Sequence, residues 1–218
     1  MAKPAERLLA AALLLGLAAP VAAWEEGLTV GLSVERSHLE LDSGAEARST
    51  RLVLQLAEEV RPWLRLQLRG GPVLLTQSGN SATAGMDFTG YHLGLGAQAE
   101  WFRQQPLGLM AAVRYNYQEV DDELETRKAR LDWHEATAEL AAVLRLQSVQ
   151  LRLGGYGLHV DGDETVSGDL TRSSSLEAER HYGGFAQLDF WVDWTGSVSL
   201  RLEAGARQGA ELVFARRF

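Results

Sequence analysis

From Trp24 onward the chain alternates apolar and polar residues with a period of two, segment after segment. That period belongs to β-strands, whose successive side chains point to opposite faces, and it cannot serve an amphipathic helix with its 3.6-residue repeat. Ten segments can be traced. The first, about Gly27 to Leu41, sets Leu28, Val30, Leu32 and Val34 against Thr29, Gly31, Ser33 and Glu35. Later ones follow suit, with Leu64, Leu66 and Leu68 against Arg65, Gln67 and Arg69, and Ala136, Ala138, Leu140 and Ala142 against Glu135, Thr137 and Glu139. In the seventh, the Gly154-Gly155 pair shifts the parity, as a β-bulge would. The tenth sets Ala210, Leu212, Phe214, Arg216 and Phe218 against Glu211, Val213, Ala215 and Arg217.

These segments are about 10–15 residues long, the scale of tilted strands crossing a bilayer (about 9–11 residues each) and longer than the usual soluble strand. The connections alternate in kind. Those after segments two, four, six and eight are tight: Arg61-Pro62, Gln105-Pro106, Gln147-Ser148 and Thr195-Gly196. The intervening ones are longer and polar, among them 78–87, 121–130 and 161–175. Aromatic residues gather at two levels, as bilayer interfaces require. Trp24, Trp63, Trp101, Trp191, Trp194 and Phe218 fall at the tight-turn end, whereas Tyr91, Tyr115, Tyr117, Trp133, Tyr156 and Tyr182 fall towards the other.

The pattern resembles the small bacterial outer-membrane β-barrels as a general class, over residues 24–218 and without the signature of a single family. The resemblance implies an all-β fold, an antiparallel up-and-down transmembrane β-barrel of ten strands, with eight as the alternative count. It implies that the last strand pairs with the first, and that Phe218 is part of an assembly signal. The implied partners are outer-membrane lipid and the barrel-assembly machinery, engaged through the C-terminal strand, and the implied state is a monomer. Arg216 departs from the apolar residue usual at its position. It is expected to point outward near the interface, its stem along lipid and its head among phosphates.

Residues 1–23 read as a secretory signal peptide, with Lys3 and Arg7 ahead of an apolar run from Leu8 to Ala19 and small residues at Val21-Ala22-Ala23. Residues 24–218 form the barrel domain in this reading. The chain holds no Cys, so no disulfide or lipid-attachment thiol is available, and its formal charge of −8 argues against nucleic acid as a partner.

In a membrane barrel the polar rows must face the lumen, because lipid accepts only the apolar face. Counting from the tight turns puts Arg65 level with Glu100, Arg114 with Glu139, and Asp189 with Arg201. These six are expected to form a lumen ion-pair network. Trp24, Trp63, Trp101, Trp194, Phe218, Tyr115, Tyr117 and Trp133 are the expected interface aromatics. No catalytic or metal-ligating motif emerges, and no cofactor is expected. His134-Glu135 lacks the second His of a zinc motif, and Asp161-Gly162-Asp163-Glu164 lacks the later ligands of a calcium loop. The expected function is non-enzymatic: structural, a narrow pore, or surface interaction. The alternatives are a rim-site enzyme acting on lipid or peptide, using some of His38, His92, His134, His159 and His181, and a soluble periplasmic binding barrel.

Overall fold

The computed structural model describes residues 27–124, 126–168 and 171–218; the expected signal segment 1–23 and Trp24 lie outside them. Eleven strands follow in order: β1 Leu28–Glu40, β2 Glu46–Arg61, β3 Leu64–Ser78, β4 Asp87–Trp101, β5 Leu107–Leu124, β6 Arg127–Leu146, β7 Val149–Ser167, β8 Arg172–Glu177, β9 Tyr182–Trp191, β10 Gly196–Gly205 and β11 Arg207–Arg217. Every pairing is antiparallel. The sheet runs from β1 to β7, continues through β9 and β10 to β11, and closes where β11 pairs with β1, from Thr29↔Arg217 to Leu39↔Arg207. The result is a closed ten-stranded barrel with one extra strand. Closure leaves the wall without an edge, so every backbone donor and acceptor can be matched within it.

The four tight connections all lie at one end. The last of them is held by Asp193, whose carboxylate accepts from the Thr195 and Gly196 amides at 2.7 and 2.6 Å. Those backbone donors hold its pKa below the usual carboxylate value.

The extra strand, β8, lies at the end away from the tight turns. The β10–β11 hairpin turns early, at Ala206, and does not reach the far end. Above it, β8 pairs with the upper part of β7, from Val166↔Arg172 to Asp161↔Glu177. It then meets β1 through a bridge between Leu41 and Ala178, with backbone bonds Asp42 N to Glu177 O (3.1 Å) and Glu179 N to Glu40 O (3.0 Å). The wall is therefore ten-stranded below the hairpin and eight-stranded above it. At the step, the Tyr156 hydroxyl accepts from Arg207 N and donates to Arg207 O (3.0 and 2.9 Å), finishing β11 where its ladder stops. Gly183 must be glycine there, since a Cβ would lie 2.4 Å from that hydroxyl.

The outer face divides by height. On β6, Ala136, Ala138, Leu140, Ala142, Leu144 and Leu146 point outward and are exposed. At ~3.3 Å per residue and a tilt of ~40°, the eleven positions from Ala136 to Leu146 span about 25 Å, the height of the apolar band of outer-membrane barrels. Leu54, Leu68, Leu95, Val113, Leu153, Phe190, Leu202 and Phe214 continue the band around the barrel, each exposed. A continuous apolar belt of this extent is foreign to soluble monomers. Above it the outward residues of β6 become His134, Asp132, Arg130 and Lys128.

The inner face changes oppositely. Above the belt it is a dry core of Leu39, Val73, Leu75, Phe88, Val120, Leu131, Trp133, Leu158, Val160, Val166 and Leu176. The segment 79–86 tucks over this core and buries Ala82, Thr83 and Met86. Glu164 anchors it, accepting from Gln77 Nε2 at 3.0 Å and Asn80 Nδ2 at 2.8 Å.

Three expectations are corrected. The parity of β7 does not shift at Gly154-Gly155: its pairing with β6 runs without a break from Val149↔Leu146 to Ser167↔Lys128. What changes there is the lumen, from polar around Gln150 and Arg152 to apolar around Leu158 and Val160. The supposed loops 121–130 and 161–175 are mostly strand, because β5, β6 and β7 extend past the belt and β8 fills the second. Trp133 is no interface residue. It shares the inward parity of Glu135 and Glu139, is 4% exposed, and donates its indole N–H to Glu135 at 3.1 Å.

Candidate functional site

At the level of the β10–β11 turn, ten inward side chains form one ionic layer across the lumen. Arg51 on β2 binds Glu135 on β6 at 2.7 Å and Glu35 on β1 at 3.4 Å, and its Nε donates to Gln118 at 2.9 Å. Arg207 reaches Glu135 (3.3 Å) and Glu203 (2.7 Å). Arg201 joins Glu203 and Glu139, both at 2.7 Å, and stacks over the Phe185 ring at 3.8 Å. Arg114 also pairs with Glu139. Arg69 closes the circuit to Glu35 (3.5 Å) and Glu211 (2.7 Å), and Glu211 accepts from Ser33 and Gln55 (3.0 and 3.1 Å). The five Arg (51, 69, 114, 201, 207) and five Glu (35, 135, 139, 203, 211) balance. Buried charge is tolerable only with such mutual pairing.

Below this layer a cavity of about 460 Å³ opens at the tight-turn end. Arg65, Arg103, Arg145, Arg152 and Arg217 line it together with Glu59, Glu100 and Asp189, and Trp63, Trp191 and Trp194 contribute to its wall and mouth.

Of the six expected network residues, Arg114, Glu139 and Arg201 meet in the ionic layer. The other three lie in the cavity wall: Glu100 is taken by Arg145, Asp189 by Arg152 at 3.3 Å, and Arg65 forms no ion pair among the described residues. Neither Arg65–Glu100 nor Asp189–Arg201 is an ion pair, because the partners chosen are nearer across the wall or the lumen. Glu35, Arg51, Arg69, Glu135, Glu203, Arg207 and Glu211 are members that the expected network lacks. Their inward parity signalled them, and Glu35↔Arg51 is a direct cross-strand pair.

Among the expected interface aromatics, Trp63, Trp101, Trp194 and Phe218 are exposed at the tight-turn end. Tyr115 and Tyr117 face outward near the top of the belt. The Tyr115 hydroxyl bonds His134 Nδ1 at 2.5 Å, and Tyr117 bonds Glu119 at 2.8 Å. Arg216 also points outward and is exposed. The five histidines do not converge. His38 lies 3.3 Å from Glu46, His134 stacks on Tyr115, His181 contacts the Leu158 carbonyl, and His159 is exposed. His92 is buried in the lumen with neither ring nitrogen hydrogen-bonded. Among the described residues, no group of three or more His, Asp or Glu could hold a metal ion.

A closed antiparallel cylinder with an apolar girdle outside and a charged layer inside has the fold of the bacterial outer-membrane β-barrels. Solved structures agree. The transport unit of the autotransporter AIDA-I from Escherichia coli aligns with a TM-score of 0.53 at 12% identity, covering 100% of this chain and 99% of that one. An outer-membrane channel from Pseudomonas putida F1 aligns with a TM-score of 0.50 at 15% identity, covering 92% and 99%. No protein-family model and no curated protein matches the sequence.

Proposed function

We propose that this protein is an integral outer-membrane barrel, non-enzymatic and closed to ion flow, which acts through what it presents at the membrane surface. The observation that carries this reading is the double obstruction of the lumen. The ionic layer spans it at mid-height, and above that the dry core and segment 79–86 fill the remaining cross-section. An ion crossing the apolar section would lose its hydration, and the polar groups beside it, Glu164, Gln77 and Asn80, are already committed to one another. The apolar belt, about 25 Å tall, supports residence in lipid. Beyond it stand the strand extensions carrying Asp121, Glu123, Asp161 and Asp163, which form the acidic working surface in this reading.

The refolded barrel in planar lipid bilayers is therefore expected to show no stepwise conductance. Stable ohmic steps from the pure protein would replace the sealed barrel by a narrow pore.

A further inference from the structure

The lower cavity is not electrically balanced, unlike the layer above it. Glu139 and Glu211 at its roof belong to that layer, and the three carboxylates below them are all engaged: Glu59 with Arg103, Glu100 with Arg145, and Asp189 with Arg152. Two guanidinium groups remain, those of Arg65 and Arg217, both on the cavity wall and, among the described residues, neither within hydrogen-bond or ion-pair distance of an acceptor side chain. Arg65 stands directly across the β2–β3 ladder from Glu59, yet that carboxylate turns to Arg103, which also takes the Pro62 carbonyl. Arg145 is likewise held in place, by the carbonyls of Phe102 (3.2 Å) and Gln105 (2.9 Å) as well as by Glu100. The pairing is thus fixed on both sides of Arg65 and leaves its charge over.

We infer that this cavity binds a small oxyanion, phosphate or carboxylate, of one or two negative charges, held by Arg65 and Arg217. A volume of about 460 Å³ suits a small-molecule site, and guanidinium forks match planar or tetrahedral oxyanions. The enclosing wall lowers the local dielectric and strengthens the attraction relative to open water. The site does not depend on whether the barrel conducts. The ligand enters from the tight-turn side, where the cavity opens.

The test uses the refolded barrel in a non-ionic detergent, titrated separately with inorganic phosphate and with succinate at constant ionic strength. Tryptophan emission is the readout, since Trp63, Trp191 and Trp194 line the cavity. A third titration mixes short-chain phosphatidylglycerol into the micelles, to separate a lipid headgroup from a free solute as the source of the oxyanion. Saturable binding in at least one titration is expected. Arg65→Gln should weaken it about tenfold, the loss of one charge-assisted contact, and adding Arg217→Gln should abolish it. Arg48→Gln, at the opposite end, should leave it unchanged. Arg65→Gln removes no ion pair, so its thermal unfolding should match the wild type and show that the variant folds. No saturable response in any titration, or equal affinity in Arg65→Gln, would overturn the site.

Discussion

Glu135→Ala is expected to lower the unfolding free energy by about 3 kcal/mol, the scale for removing one partner from a buried ion pair. Glu135 bridges Arg51 and Arg207 and accepts from the Trp133 indole. Its loss would leave two buried guanidinium groups under-compensated and one indole donor unmatched. Arg51 keeps Glu35 and Gln118, and Arg207 keeps Glu203, so the cost stays at the lower end of the range for such pairs. Urea titration in lipid vesicles measures it. Arg51→Ala combined with Glu135→Ala should cost less than the two single changes added, because the partners share one interaction. A Glu135→Ala loss below about 1 kcal/mol would mean that the layer is hydrated and its charges are screened individually.

Phe88→Ala is expected to cost about 3–5 kcal/mol, the usual price of deleting an aromatic ring from a packed core. Phe88 is 1% exposed, opposite Leu75 on β3, within the dry core above the belt. No lipid can fill the space its ring leaves, because the eight-stranded wall encloses it. By contrast Phe190, outward on β9 in the belt, faces lipid, which can close over a truncated side chain. Phe190→Ala should therefore be much milder. Equal losses at the two positions, in the same vesicle assay, would show that the upper core is not packed as described.

The contrast between these two phenylalanines also marks where the sequence was readable. Strand positions and tight turns were legible because alternation and the Pro- and Gly-containing turns report the backbone directly. The terminal strand closes on β1 as the resemblance implied, with Leu212 and Phe214 outward. Above the belt, the rule relating polarity to side reverses. Lower on β6 Leu140 and Leu144 face out, whereas higher up Leu131 and Trp133 face in and Arg130 faces out. In the sequence that reversal shows only as a shift of parity, which a β-bulge would also produce, so Gly154-Gly155 reads as a bulge and Trp133 as an interface residue. The partners in the ionic layer were hidden for another reason. Arg51–Glu135 and Arg201–Glu139 join strands that are not neighbours, across the lumen, and counting from turns gives only heights along the wall.

The central claim is that β6 runs from lipid into water, with the polarity of its two faces reversing on the way. The chain has no Cys, so single introduced thiols can map it directly. In vesicles reconstituted with Lys128→Cys, Arg130→Cys, Leu131→Cys, Ala138→Cys or Leu140→Cys, a water-soluble maleimide should modify Lys128→Cys and Arg130→Cys rapidly. Ala138→Cys and Leu140→Cys should stay unmodified in vesicles, although they face outward, and Leu131→Cys should be protected by the core. Rapid modification of Leu140→Cys in intact vesicles would contradict the account, because it would place the belt in water.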